Sequence, residues 1–169
     1  MTSVGGSRIK IETISVIAII ALFLLFSPSI VESKLPPLTG WPIMSSSLGG
    51  YGTLTVTNSN NQDAIVVLTD KMRSVYRAVY IRGGDVYTIK NIASNTYNLY
   101  FEYGEDWDRE SKTFSDAEDM YKIIEPFNFE ETELPDEIRY TVWQLSLPAN
   151  PKNAGGIESV SRSEFPLLS

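Results

Sequence analysis

An uncharged, mostly apolar run from Ile14 to Val31 constrains this chain more than any other part of its sequence. As an α-helix rising about 1.5 Å per residue, these 18 residues would cover about 27 Å of the roughly 30 Å hydrocarbon core of a bilayer. A cleaved secretory signal peptide is the alternative, because Ile14 to Phe26 also has the length of an apolar signal centre. We expect a retained transmembrane helix over 14–31.

Basic residues at the two ends of this run predict its orientation. Arg8 and Lys10 precede it, whereas only Lys34 lies close behind it. Since basic residues favour the cytoplasmic side, segment 1–13 is predicted to be cytoplasmic and the rest of the chain periplasmic or extracellular. We therefore expect a single-pass membrane protein, and the lipid bilayer is one of its predicted partners.

Small residues in the run offer one candidate surface for packing against another membrane helix. Ser15, Ala18 and Ala21 recur at helical spacing, and small residues allow helices to approach closely in lipid. These three residues are therefore predicted to bind other membrane protein subunits.

The absence of histidine and cysteine excludes several classes of chemistry. Histidine-based triads, histidine-ligated zinc, cysteine nucleophiles and cysteine-ligated clusters all need these residues. Carboxylates are numerous, but no spacing singles out a pair for glycoside hydrolysis. We therefore predict that the chain is not an enzyme and has no cofactor.

Charge is distributed unevenly along the chain. Residues 41–100 carry a net charge of +2, whereas residues 102–137 contain fourteen acidic and three basic side chains, a net charge of −11. Such a segment repels nucleic acid, so no nucleic acid partner is expected. It suits a basic protein surface or a divalent cation, and the alternative is a solvated face that maintains solubility.

From Tyr51 onward, apolar residues recur with a period of two, which is typical of half-buried strands. Short strands separated by turn signals are predicted over the following stretches: 54–57, 64–69, 75–82, 86–89, 97–103 and 139–147. The run 64–69 is apolar on both faces and is a candidate central strand. The predicted fold class is mainly β, an antiparallel, Greek-key-like β-sandwich with one N-terminal transmembrane helix.

Proline, glycine and serine mark the predicted limits of the domain. Residues 32–50 are expected to be a linker, 51–148 the β-sandwich domain, and 149–169 a C-terminal tail. Within the domain, 104–137 is expected to be an acidic insertion, in which a capping box predicts a short helix over 116–123.

Two neighbouring stretches, Arg82–Ile92 and Asn95–Leu99, resemble the prealbumin-like (transthyretin-like) sandwiches, which include the carboxypeptidase regulatory-like modules. They contain a strand, a glycine turn and a second strand that begins near a tyrosine. The resemblance implies that the hydroxyl of Tyr97 closes a corner by bonding to upstream backbone. It covers about 50 residues, implies a module that binds, supports or spaces other domains, and transfers no catalytic residue.

An acidic cluster follows the fifth of these strands. Asp106, Asp108 and Glu110 alternate in a way that could let a loop fold oxygen atoms around Ca²⁺. An EF-hand is excluded, because Ser111 and Ala117 stand where the loop needs glycine and glutamate. A different calcium loop is one hypothesis for this cluster, and an acidic hairpin tip with Trp107 packed underneath is the other.

Aromatic residues form the remaining candidate binding surface. Tyr76 and Tyr80 are predicted on a strand face opposite the apolar set, Trp107 lies in the acidic cluster, and Trp41 lies in the linker. A sheet face rich in tyrosine suits a protein partner or a carbohydrate, although tyrosine is also common in ordinary strands. We assign these four residues to partner binding.

Together these observations predict a non-enzymatic, membrane-anchored accessory or structural subunit of a larger membrane complex, with photosynthetic and respiratory complexes as candidates. Its contacts would be protein–protein contacts on the outer face of the membrane. The alternative is a cell-surface or periplasmic binding module for carbohydrate or peptide.

Overall fold

The computed structural model describes residues 35–46, 49–115 and 119–168. The strands in these ranges, numbered in chain order, are β1 (Trp41–Ser45), β2 (Gly52–Asn58), β3 (Asp63–Thr69), β4 (Val75–Ile81), β5 (Val86–Ile92), β6 (Asn95–Gly104), β7 (Trp107–Asp108), β8 (Thr113–Phe114), β9 (Met120–Ile123), β10 (Phe127–Phe129), β11 (Glu131–Glu133), β12 (Ile138–Tyr140), β13 (Val142–Leu147) and β14 (Ile157–Val160). A 3-10 helix, η1, covers Pro151–Asn153. Within these ranges, no helix is long and apolar enough to span a bilayer. The predicted membrane helix 14–31 and cytoplasmic segment 1–13 lie outside the described residues.

Seven strands form the larger sheet, in the order β1–β4–β3–β6–β9–β14, with β10 also paired to β6. Every pair in this sheet is antiparallel. The ten-residue β6 is long enough to pair with β10 near its start and with β9 further along. The predicted central position of β3 is confirmed, because its residues from Ala64 to Thr69 are all buried.

Three strands form the smaller sheet, in the order β13–β2–β5. β2 is antiparallel to β5 but parallel to β13, so the sandwich contains one parallel pair among otherwise antiparallel ones. The alternation predicted for β2 is confirmed, since Leu54 and Val56 are buried while the intervening threonines are half-buried. Two further pairs, β7–β8 and β11–β12, form separate hairpins.

Apolar side chains from both sheets meet in the first core. Leu54 and Val56 come from β2, Val66 and Leu68 from β3, and Phe101 from β6. Alternation along each strand places these residues on the inner faces of the two sheets. The mainly β, sandwich-like architecture predicted from the sequence is therefore confirmed.

A second core covers the opposite face of the larger sheet. Ile65 and Val67 of β3 pack there against Phe114 of the β7–β8 hairpin and against Phe165 and Leu168 of the C-terminal segment. The larger sheet is thus buried on both faces, which explains why β3 lacks a polar face.

Several boundaries differ from those expected from the sequence. The predicted linker 32–50 contains β1, which pairs with β4, and the predicted tail 149–169 contains β14, which pairs with β9. Proline and glycine do not favour strand conformation locally. Hydrogen bonds to an existing sheet edge stabilise the strand conformation of these two segments instead. Met120–Ile123, in the predicted helix 116–123, is strand β9 because it continues the larger sheet. The described residues belong to one compact unit, Leu35–Ser169.

Candidate functional site

Two of the aromatic residues assigned to partner binding lie inside the domain. Tyr80 and Trp107 are buried in the second core, with ring centroids 5.5 Å apart. The Tyr80 hydroxyl also bonds to Asp63, and burial raises the pKa of this tyrosine. The predicted tyrosine-rich surface is corrected here, because the β7–β8 hairpin covers the sheet face on which Tyr80 lies.

Tyr76 is half-buried and holds together the backbone of a corner between β5 and β6. Its hydroxyl donates to the carbonyl of Asn91 at 3.1 Å and accepts from the backbone N–H of Ala93 at 3.1 Å. The Tyr97 hydroxyl donates to the Ala93 carbonyl at 3.2 Å, which confirms the predicted corner bond. Both tyrosines therefore have structural partners within the domain.

Trp41 remains on the surface. It lies on β1, is about half exposed, and has the guanidinium of Arg109 5.4 Å from its ring centroid. This cation–π contact joins the predicted linker to the acidic insertion. The small-residue stripe at Ser15, Ala18 and Ala21 lies outside the described residues, so its role stays a prediction.

The acidic cluster forms a hydrogen-bonded turn. One carboxylate oxygen of Asp108, Oδ1, accepts the backbone N–H of Glu110 at 2.8 Å and that of Ser111 at 3.3 Å. In addition, the carbonyl of Asp106 accepts the backbone N–H of Ser115 at 2.9 Å. Across the described ranges, no group of three acidic, histidine or cysteine side chains is placed to hold a metal ion. A calcium role for Asp106, Asp108 and Glu110 therefore stays a sequence prediction.

Glu102, from the start of the acidic stretch, is fully buried on β6 beside the second core. It accepts hydrogen bonds from Arg162 at 3.0 Å and from the Thr113 hydroxyl at 3.3 Å. Burial raises the pKa of this carboxyl, and Arg162 partly opposes the shift. The cluster connects the sheet, the β7–β8 hairpin and the C-terminal segment, so its role is structural.

A mixed apolar and acidic face on the β11–β12 hairpin was missed by the sequence reasoning. We call it the β12 surface, and its members are Tyr51, Glu131, Glu133, Ile138, Tyr140 and Val142. Tyr140 is 48% exposed, and its ring centroid lies 6.2 Å from that of Tyr51. Ile138 and Val142 are exposed at alternate positions on either side of Tyr140.

The β12 surface has carboxylates beside its apolar side chains. Glu131 lies opposite Tyr140 in the hairpin register, and Glu133 lies opposite Ile138. Directly opposed residues of an antiparallel pair lie on the same face, so each carboxylate neighbours an exposed apolar group. The Glu131 carboxylate also accepts the backbone N–H of Tyr51 at 2.7 Å, which holds it at this face. The surface therefore suits a partner with both apolar and basic side chains.

A groove runs between the edges of the two sheets, and we call it the β1–β5 groove. Its volume is about 430 Å³, and its lining residues are Gly40, Pro42, Met44, Ser45, Arg77, Val79, Tyr87, Thr88, Ile89, Lys90 and Asn91. The described residues that line it include two basic side chains and no acidic one. In the sequence, Arg77 is one polar residue of an alternating strand, and nothing there distinguishes it.

Comparison with known proteins gives no relative for this chain. No protein-family model matches it, and neither the curated proteins nor the solved structures include a significant match. Function is therefore inferred from the sequence and from the described surfaces.

Proposed function

We propose that this chain is a non-enzymatic, membrane-anchored β-sandwich that acts as an accessory or structural subunit of a larger membrane protein complex. Its apolar segment 14–31 is the anchor, its N-terminus is cytoplasmic, and its β domain faces the periplasm or the cell exterior. Photosynthetic and respiratory complexes are the candidate assemblies. The contacts are between proteins and lie on the outer face of the membrane.

The β12 surface is the observation that supports this proposal most. Exposed aromatic and β-branched side chains beside carboxylates are typical of an interface centre with a polar rim. The face carries Tyr140 and Ile138 directly opposite Glu131 and Glu133, and Val142 is exposed two residues after Tyr140. The partner that fits is a protein surface with apolar side chains flanked by lysine or arginine.

The finer description of the fold belongs to the same proposal. β4 and β6 both lie in the larger sheet, whereas β5, which comes between them in the sequence, lies in the smaller sheet. This change of sheet and the Tyr97 corner bond support a Greek-key-like arrangement and a prealbumin-like relationship. Such a module would bind or brace its neighbours.

The test is recovery of the intact, tagged chain from the source organism's membranes in a mild detergent, with quantitative mass spectrometry of co-purifying proteins. We expect one stoichiometric membrane complex. Tyr140→Ser should reduce its recovery at least tenfold, because a buried interface tyrosine contributes about 2 kcal/mol or more. Glu133→Lys should also reduce it, most strongly at low salt.

Two variants serve as matched controls. Met72→Ser truncates a side chain that is 86% exposed outside the β12 surface, and Glu125→Lys reverses an exposed charge between β9 and β10. Both should leave recovery of the complex unchanged. Equal recovery with Tyr140→Ser and Met72→Ser would remove the β12 surface from the proposal, and a chain that purifies alone would remove the subunit role.

A ligand-binding module for peptide is the second candidate function. The β1–β5 groove favours it, because the groove combines apolar walls with a buried arginine. Purification of the chain without any stoichiometric partner would favour this second function.

A further inference from the structure

The β1–β5 groove lies where the sandwich has two open edges. β1 is an edge strand of the larger sheet, and β5 is an edge strand of the smaller sheet. At an edge strand, alternate backbone N–H and C=O groups point away from the sheet. The groove therefore offers both a pocket and two strand edges that could pair with an added segment.

Arg77 is the unusual side chain in this groove. It is 5% exposed, and its Nη1 atom donates to the Ser45 hydroxyl and to the Ser46 carbonyl. The ring of Tyr76 lies 5.0 Å from the guanidinium carbon. Among the described residues Arg77 forms no ion pair, and its buried Nη2 atom has no hydrogen-bond partner.

A buried guanidinium without a carboxylate is unfavourable for stability. Removing a charge from water is costly, and neutral acceptors such as Ser45 and Ser46 compensate for it only in part. The lining of the groove also includes Lys90 and contains no described acidic residue, so the local charge is positive. Such an arrangement is expected where an anion completes the site.

We propose that the β1–β5 groove is a carboxylate-binding site in which the Arg77 guanidinium, which lines the groove, donates a hydrogen bond to the ligand. The apolar side chains of Pro42, Met44 and Val79 exclude water from one side of the contact and so strengthen it. The carboxylate is carried either by an extended peptide or by a small free acid. This site is separate from the β12 surface and does not depend on the proposed subunit role.

The first experiment measures thermal unfolding of the intact chain in detergent at pH 7, followed by tryptophan fluorescence. Sodium acetate is titrated to 100 mM against sodium chloride at equal ionic strength. Because one charge-assisted contact gives a Kd of about 1–10 mM, 100 mM acetate should stabilise the domain by roughly 1.4–2.7 kcal/mol and raise Tm by about 5–10 °C above the chloride value. An equal rise with chloride would overturn the proposal.

Variants of the arginine test whether it is the binding group. Arg77→Met should abolish the acetate shift, and because it removes a buried, uncompensated charge, its Tm without acetate should equal or exceed that of the unsubstituted chain. Arg139→Met is the matched control, since the Arg139 side chain is 72% exposed and lies outside the groove. It should keep the full acetate shift.

Arg77→Lys keeps the positive charge and so remains informative if Arg77→Met fails to fold. Lysine lacks the planar fork of arginine, so the acetate affinity of this variant should fall at least threefold. A full acetate shift in either Arg77 variant would show that acetate binds elsewhere and would overturn the proposal.

Peptide probes distinguish the two sources of the carboxylate. An acetylated pentapeptide of alternating valine and threonine is prepared in two forms. One form ends in a free carboxylate and the other in an amide, and the two are compared in the same assay. If the ligand is a peptide, the free-acid form should bind at least tenfold more tightly than acetate, because backbone pairing with β5 adds to the arginine contact. Equal affinity for acetate, succinate and the peptide acid would identify a small free acid as the ligand class. If the peptide amide shifts Tm as much as the acid, the carboxylate has no role and the proposal fails.

Discussion

At the scale of single residues, the larger sheet buries two charges that are compensated in different ways. Glu102 on β6 lies beside the second core and is bonded to Arg162, whose side chain is 56% exposed and remains in water. Arg77 on β4 faces the groove and is bonded to neutral oxygens of Ser45 and Ser46. A buried charge whose opposite charge lies within the chain indicates a structural role. A buried charge that lacks such a partner indicates a site for a ligand.

The raised pKa of Glu102 predicts how the stability of the domain depends on pH. A carboxyl whose pKa is higher in the folded than in the unfolded chain binds its proton more tightly when folded. As pH rises above about 4.5, the unfolded chain loses this proton first, so the free energy of unfolding falls until Glu102 also ionises in the folded state. In Glu102→Gln the free energy of unfolding does not fall in this way. The difference between the free energy of unfolding of this variant and that of the unsubstituted chain should therefore increase from pH 4 to pH 7.

Urea denaturation at pH 4, 5, 6 and 7 measures this difference. Glu158→Gln is the control, because it removes a carboxylate from an exposed ion pair, 3.0 Å from Lys122 on β9. It should show no gain in stability as pH rises. If the difference between Glu102→Gln and the unsubstituted chain stays constant or reverses over this range, the carboxyl is not held against ionisation in the folded domain.

At the scale of elements, local pattern predicted the strands that carry their own signal. β2, β3, β4, β5 and β6 were expected from alternation and from apolar β-branched runs, and all five are present. β1 and β14 were missed because proline, glycine and serine surround them, and their strand conformation comes from pairing with a sheet edge. The late strand predicted over 139–147 is divided at Thr141, and its second part, β13, is parallel to β2.

The C-terminal segment after β14 provides the element-scale prediction. Phe165 is 5% exposed and packs against the ring of Tyr100 at 6.1 Å between centroids, whereas Leu167 is 81% exposed. Phe165→Ala should lower the free energy of unfolding by about 3 kcal/mol, because it leaves a cavity in the second core. Leu167→Ala should change it by less than about 0.5 kcal/mol.

Guanidinium denaturation of the two variants at pH 7 gives both values directly. Equal and small effects would mean that the C-terminal segment does not cover the sheet in solution. A large effect at Leu167 alone would instead place that residue in the core.

At the scale of the whole molecule, the sequence predicted the mainly β fold of the domain better than it predicted any site. Periodicity reports which residues are buried, but it does not report which elements cover a sheet face, so Tyr80 and Trp107 were assigned to a surface that the β7–β8 hairpin buries. The β12 surface and the groove depend on register and on sheet edges, which are set by long-range pairing. Neither is visible in local sequence.

The predicted anchor and the observed domain limit lead to one prediction about truncated chains. A chain that begins at Leu35 keeps every described strand, whereas one that begins at Gly49 loses β1 and its pairing with β4. The intact chain should resist alkaline extraction from membranes, and the chain from Leu35 should be released while keeping the cooperative unfolding of the domain.

The chain from Gly49 should also be released but be less stable by roughly 2 kcal/mol or more. It loses the half-buried Ile43 and Met44, which pack on the second core, and it exposes the edge of β4. Extraction assays and urea denaturation of the three chains separate these effects. If the chain from Leu35 stays in the membrane fraction, the β domain itself binds the membrane or a resident partner, and segment 14–31 is not the sole anchor. If the chain from Gly49 is as stable as the chain from Leu35, β1 contributes nothing to the stability of the fold. The β1 side of the β1–β5 groove could then be removed without lowering the free energy of unfolding.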